Sequence, residues 1–293
     1  MQVKALACEL PTYNGVPLSR WSAAELAAEV VRSGLVASIS GSTVWRWLQK
    51  DAIRPWYHRS WIFPRDPAFE TKAGRVLDLY HRRWNDQPLD AHDFVVCADE
   101  KTSIQARRRT HPTVPSGSRQ LMRVEHEYER LGAWAYLAAW DVHRAKLFGR
   151  CELHTGIDPF DRLVADVMAQ LPYCKARRVF WIVDNGSSHR GARAIRRLRK
   201  RYSRTPELIV VHLPVHASWL NQIEIYFSIL QRKVLTPNDF GELSEVPARL
   251  LAFQRHYEAL ARPFRWEFTR DDLARVLGKL DTAAPQTSLD CAA

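Results

Sequence analysis

Three acidic residues stand out by type and setting. Asp99 follows the apolar run Phe94–Ala98 (FVVCA), Asp184 follows Val179–Val183 (VFWIV), and Glu224 lies in a helix-patterned segment over 219–234. Both apolar runs are short, β-branched and aromatic, the pattern of buried strands. In an open α/β sheet ligands collect beyond the carboxyl ends of the strands, so an acid there is placed to act on one. A single Asp after a strand is commonly a turn former or helix cap; two such strands with a helical Glu carry more weight. Three carboxylates gathered together repel and cannot all stay ionised. A divalent cation resolves the conflict, and hard oxygen donors with room for water and phosphate suit Mg²⁺, with Mn²⁺ able to substitute. Two ions about 3.5–4 Å apart would activate water or a hydroxyl as nucleophile and stabilise the leaving oxygen during in-line attack on phosphorus.

Neighbouring residues fill in the site. Glu100 adjoins Asp99, but adjacent strand residues face opposite ways, so Asp99 is expected at the metals and Glu100 behind it. Asn185 is a turn former beside Asp184. His189, one turn into the helix expected after Asp184, is placed for DNA or the scissile phosphate, or for a plain helix-surface role. The run Arg190–Arg204 holds eight cations and no acid. A charge run is often only a solvated face; following Asp184, this one is read as a phosphate contact through Arg190, Arg193, Arg196, Arg197, Arg199 and Lys200. Arg107, Arg108 and Arg109, expected on a loop after Asp99, form a second basic cluster.

The elements that must position these groups follow from periodicity. A strand at 94–98, a hairpin of 133–141 with 145–152, a helix at 158–171 capped by Asp158, a strand at 179–183, a basic helix at 188–203, a strand at 208–213 and helices at 219–234 and 243–261 give the order β-β-β-α-β-α-β-α. Three sequential strands followed by alternation predict a mixed five-stranded sheet with helices on both faces, the order of a ribonuclease H-like domain. A helix at 70–84 precedes it.

The first part of the chain reads as short helices. In WSAAELAAEVVRSG, Ser22 and Glu25 form a capping box and Gly34 is a stop. A second helix, STVWRWLQKD, is expected to be capped by Ser42, with Val44, Trp47 and Leu48 inward and Thr43, Arg46, Gln49 and Lys50 outward. Two short helices across a turn fit a helix-turn-helix, all-α and winged-helix-like in kind, with the second helix reading DNA. A plain helical bundle fits this stretch as well. The expected division is 1–63 for DNA binding, 64–72 as linker (with Pro64 and Pro67), 73–280 for catalysis and 281–293 as a flexible tail.

Composition agrees. The 293 residues suffice for two such parts, 46% are apolar, and the net charge of +11 suits a polyanionic partner. The five cysteines are scattered without a C-x-x-C pair, which argues against a zinc module or disulfide framework and for a reducing cytoplasm. No signal peptide or membrane span is expected.

Three words narrow the reading: ADEKTSIQARRR (98–109), VDNGSSHR (183–190) and LPVHASWLNQIEIYFSILQRKVL (213–235). Here the chain closely resembles the mariner-like DDE transposases, in particular the bacterial branch named for insertion sequence 630. The match runs through Asp99, Asp184 with Asn185 and His189, and Leu220-Asn221 with Ile223-Glu224, over roughly residues 15–260. Gln222 stands where the family word usually has Pro, and the spacing between Asp184 and Glu224 is slightly long for mariner relatives. The resemblance implies a catalytic triad of Asp99, Asp184 and Glu224 holding two Mg²⁺ ions, with Glu100, Asn185, His189 and Asn221 supporting it. It implies cut-and-paste transposition between inverted terminal repeats and TA target sites on double-stranded DNA, by a homodimer or larger assembly in the bacterial cytoplasm at the nucleoid. Relatives often carry a further helix-turn-helix ahead of the one read here. Two alternatives remain at this point: a ribonuclease H-like nuclease that only hydrolyses, and an inactive or domesticated copy that only binds DNA.

Overall fold

The computed structural model describes residues 2–58, 64–186, 192–204 and 206–283. The chain divides into two compact units, Met1–Ile62 and Phe63–Ala293.

The first unit is helical, with no strand among its described residues: α1 (Gln2–Ala7), α2 (Ala23–Arg32) and α3 (Gly41–Lys50). The capping box at α2 forms, Ser22 Oγ accepting from the Glu25 amide at 3.2 Å and the Glu25 carboxylate from the Ser22 amide at 2.8 Å. Gly34 takes the left-handed conformation just past the helix end (φ 73°). The cap of α3 is Ser40, which accepts from the Thr43 amide, and not Ser42. The helix therefore starts two residues earlier, with Gly41 lying against α2; a Cβ there would stand 3.1 Å from Ala24 Cα. Trp21, Leu26, Val30, Val44 and Leu48 form the core with α1. Trp47, expected inward, is 41% exposed. The apolar stripe of a helix this short is filled by Val44 and Leu48 at i, i+4.

The second unit opens on an anchored segment. Asp66 is buried, and its carboxylate takes Lys72 Nζ at 2.7 Å and the Val215 amide at 3.1 Å. Helix α4 already begins within the span expected as linker and runs Phe69–Tyr80. The chain then makes a small hairpin, β1 (Arg83–Trp84) with β2 (Gln87–Pro88), where continued helix was expected. Arg82, Asn85 and Asp86 all take positive φ there, which helix cannot accommodate.

The main sheet holds β3 (Asp93–Arg109), β4 (Tyr128–Asp141), β5 (Leu147–Glu152), β6 (Arg178–Val183) and β7 (Glu207–His212), in the order β5-β4-β3-β6-β7. β4 runs antiparallel to β3 and β5, while β6 is parallel to β3 and β7. This is the mixed ribonuclease H-like sheet. Helices α5 (Ile157–Met168) and α6 (Ala192–Arg201) contribute to one core; α4, α7 (Ile223–Lys233), α8 (Glu245–Leu260) and α9 (Arg270–Ala283) contribute to the other. Strand alternation sorts the side chains: Val95, Cys97, Phe180 and Ile182 enter the α4/α7 core, Val96, Ala98, Trp181 and Val183 the α5 core. Burial on both faces is why these strands read as unbroken apolar runs. Among the described residues no helix is long and apolar enough to cross a membrane. Helix α9 was not anticipated, because among its described side chains Leu273 is the one buried apolar residue in a polar sequence. It covers the first part of the expected tail; residues 284–293 lie outside the described ones.

Two further expectations need correction. Asp158 is not a cap: Gly156 precedes α5 without a side-chain cap, and Asp158, on its first turn, pairs with Arg197. Arg107–Arg109 are not on a loop but on β3, which continues far past Asp99 because β4 goes on pairing with it, from Ala98↔Ala139 out to Arg109↔Tyr128.

Candidate active site

Register brings the first two acids together. In the parallel pair, Cys97 of β3 lies opposite Ile182 of β6. Asp99 and Asp184 are each two residues further on, Asp184 just past the end of β6, so the two acids leave the paired strands at the same level. Both alternate onto the α4/α7 face that Cys97 and Ile182 occupy. Neighbouring strands lie about 4.8 Å apart, so the backbones of the two aspartates are adjacent. Glu224 enters from the same face, in the first turn of α7.

The electrostatics record this proximity. Asp99 is pushed up to about 7, first by burial and then by the charge of Asp184; the Glu100 amide, donating to Asp99 Oδ1 at 2.7 Å, opposes this, and Glu224 and Glu100 add to the rise. Glu224 is also raised, by burial first; Lys101 opposes the shift and Asp184 reinforces it. Glu100 shares the opposite face with Ala98 by alternation. Lys101, which no sequence argument singled out, is the cation facing Glu224; its position two residues past Asp99 was the available signal.

The supporting contacts are specific. Asn221 is wholly buried, and its side-chain amide donates to the Ala98 carbonyl at 3.1 Å. Asn185 donates to the Leu213 carbonyl at 2.7 Å, joining the ends of β6 and β7. Asp184 Oδ1 accepts from the Gly186 amide at 2.7 Å, folding the loop back on the carboxylate. Behind the acids, the buried Tyr80 hydroxyl donates to the Leu220 carbonyl and lies 3.3 Å from Cys97 Sγ. Burial pushes the Cys97 thiol up to about 12, so it stays protonated. Tyr80 left no trace in the sequence, since its partners lie far along the chain.

Among the described residues, no three His, Cys, Asp or Glu side chains stand closely enough to hold an ion as placed. Asp99 and Asp184 each turn one oxygen onto a backbone amide, which holds the set open. The donor set nonetheless fits a hard divalent cation: three carboxylates, of which Asp99 and Glu224 are both raised by burial and by the charge of Asp184. Rotation of these side chains is what a cation would have to induce.

The DNA-contact candidates divide. On α3, Arg46 and Lys50 are exposed and Thr43 and Gln49 half-buried. Arg46 donates to Thr43 Oγ1 at 3.3 Å. On β3, Arg108 pairs with Glu129 at 2.5 Å, and Arg109 donates to the carbonyls of Glu125, His126 and Asn238. On α6, Arg197 pairs with Asp158 and Asp161 of α5 at 2.9 and 2.7 Å, a structural use, while Arg196 and Lys200 are exposed. His189 and Arg190 lie outside the described residues, as do the side chains of Arg193 and Arg199.

Comparison with known proteins bears on this geometry. A family model described as DDE superfamily endonuclease matches residues 94–246, which span all three acids. No curated protein sequence matches the chain. Among solved structures, the mariner Mos1 paired-end complex with Mg is similar at a TM-score of 0.53 and 12% identity, over 96% of this chain and 76% of the other. The Mos1 paired-end complex with Mn gives 0.51 and 13% over the same shares, and the Mos1 transposase paired-end complex with the left transposon end 0.51 and 12%.

Proposed function

This chain belongs to the DDE superfamily of endonucleases, and from that premise we propose that it is a DNA transposase. Its kind is mariner-like, of the bacterial insertion sequence 630 branch, cutting an element free at its terminal repeats and joining it to target DNA at TA. The observation that carries the reading is the convergence of Asp99 and Asp184 at the ends of two adjacent parallel strands, with Glu224 close enough to share their electrostatics.

In this reading Asp99, Asp184 and Glu224 hold divalent cations, which supply activation of the attacking oxygen and stabilisation of the leaving one. Asn221 and Tyr80 fix the Glu224 helix against β3, so that the third acid is delivered to the other two. Asn185 and the Gly186 amide hold Asp184 at the strand end. Lys101 balances the charge of Glu224 before a cation arrives. Residues 1–63 read the terminal repeats through α3, and 73–280 carry the chemistry. The protein works on double-stranded DNA as a dimer or larger assembly; that the similar Mos1 structures are paired-end complexes, some with Mg or Mn, supports this.

The test is a nicking assay on supercoiled DNA with Mg²⁺ or Mn²⁺, followed by strand transfer of a pre-cleaved end. Asp184→Asn is expected to abolish nicking and leave DNA affinity nearly unchanged. Wild-type nicking by that variant would reject the site. Nicking by the wild type without any joining of a pre-cleaved end would reject transposition in favour of hydrolysis alone.

A further inference from the structure

Beyond Asp99, strand β3 changes face. Lys101 pairs with Tyr136 but Ile104 with Trp134, so β3 carries one extra residue, and Ser103 there takes φ 54°. Such a bulge re-aims every side chain that follows. Before it, Val95 and Cys97 enter the α4/α7 core; after it, Ile104 and Ala106 do. Gln105 and Arg107 are thereby turned out of that core.

These residues line a cleft of about 430 Å³ between β3 and the C-terminal end of α7, large enough for a ligand. Lys101, Arg107 and Arg109 contribute to its wall, and among the described residues no acidic one does. The far wall is tied to the β3 backbone, mainly by the Asn238 side chain: the Arg107 amide donates to Asn238 Oδ1 at 3.1 Å, Asn238 Nδ2 to the Gln105 carbonyl at 2.7 Å, and the Phe240 amide to the Arg107 carbonyl at 2.9 Å. Within this frame Arg109 is already spent on three carbonyls. Arg107 is different. Its guanidinium lies 4.5 Å from the centre of the Tyr128 ring, which fixes its plane, and its Nε is buried without a hydrogen-bond partner. A buried donor of this kind is costly unless a ligand fills it. Gln105 Oε1 is likewise buried without a partner, and that amide can present either oxygen or NH₂.

We propose that this cleft seats the sugar–phosphate backbone of the DNA strand flanking the scissile phosphodiester, with Arg107 as its anchoring phosphate ligand and Gln105 beside it. The proposal rests on the reading of this chain as a DNA-cutting enzyme. At about 3.3 Å per strand residue, Lys101 lies roughly 7 Å and Arg107 up to roughly 26 Å past Asp99. A DNA strand advances about 3.4 Å per nucleotide, so the contacts fall between about two and eight nucleotides from the cut.

The experiment measures binding of a fluorescent DNA duplex by anisotropy across a KCl series, with no divalent ion present. The proteins are the wild type, Arg107→Gln, Arg107→Lys and Arg275→Gln. One phosphate contact contributes about 0.9 to the slope of log affinity against log salt. Arg107→Gln is expected to lower that slope by about one, Arg107→Lys to restore it, and Arg275→Gln, outside the cleft and paired with Asp272, to leave it unchanged. Shortening the duplex on one side of the cut to fewer than about two nucleotides is expected to abolish the difference between Arg107→Gln and wild type. Gln105→Lys adds a cation inside the cleft and is expected to steepen the slope by about one, an independent check should Arg107→Gln fail to fold. A protein that nicks DNA yet shows the same slope for wild type, Arg107→Gln and Gln105→Lys overturns the cleft while leaving the function standing. A wild type that neither binds nor nicks DNA overturns both.

Discussion

The side-chain amide of Asn221 donates to the backbone carbonyl of Ala98 at 3.1 Å. Asn221 lies two residues before the helix start at Ile223 and three before Glu224, and Ala98 immediately precedes Asp99. One bond therefore links the segment that delivers one acid to the strand that delivers another. Both groups are buried, so water cannot replace either partner. Asn221→Ala is expected to cost about 1–3 kcal/mol of stability, read from urea unfolding, and to raise the Mn²⁺ concentration needed for half-maximal nicking. Unchanged metal dependence in a destabilised variant would show the bond to be structural only.

Gln222 is wholly buried, and neither amide atom of its side chain has a hydrogen-bond partner. Its backbone, φ −61° and ψ −23°, is one proline adopts readily, and Asn221 before it is extended, as a residue before proline should be. Gln222→Pro removes a buried unsatisfied amide and restricts the unfolded chain. It is expected to stabilise the protein by about 1 kcal/mol, visible as a higher melting temperature. The backbone N–H of Gln222, which proline would remove, donates toward Cys97 and Tyr80, and a lower melting temperature would mean that its loss outweighs the gain.

Asp99 is raised to about 7 from its ordinary value of 3.8. Between those values the folded chain binds a proton that the unfolded chain has released, so stability falls as pH rises through that window. The contribution is fully present below about pH 4 and lost above about 7. Without divalent ions, Asp99→Asn should match the wild type near pH 4 and exceed it by about 2–4 kcal/mol at pH 8. Denaturant unfolding in EDTA at the two pH values checks this; a constant difference would contradict it.

Asp93 has the opposite sign. Burial pushes its carboxyl up, but bonds from Arg177 and Arg178, at 2.5–3.1 Å, with the Asp90 amide, hold it well below the usual range. Its stabilisation is present above the unfolded value near 3.8 and fades as pH falls below it. The ion pairs clamp the start of the β3–β6 pair, at the end remote from the acids. Asp93→Asn is expected to cost about 2–3 kcal/mol at pH 7, with the gap to wild type closing in acid and nicking per folded molecule unchanged. Thermal melts over a pH series would show it.

The sequence by itself determined the strands β6 and β7, the first part of β3 and the order of the main sheet elements, and it singled out the three acids, because a doubly buried strand must be apolar and an acid at its end breaks that run abruptly. The capping box of α2 was legible for the same reason: its chemistry is local. Tertiary structure decided what depends on partners far along the chain. Asp99 and Asp184 come together only because β3 and β6 pair in one register, and no local pattern encodes register between strands some eighty residues apart. The extra residue in β3 turned Arg107 toward a cleft, while Arg108, Arg109 and Arg197 were drawn into ion pairs and carbonyl contacts, a division invisible in a row of like charges. Tyr80 and Cys97 became the floor beneath the acids for the same physical reason: side-chain contacts are fixed by packing, and packing is a property of the folded chain.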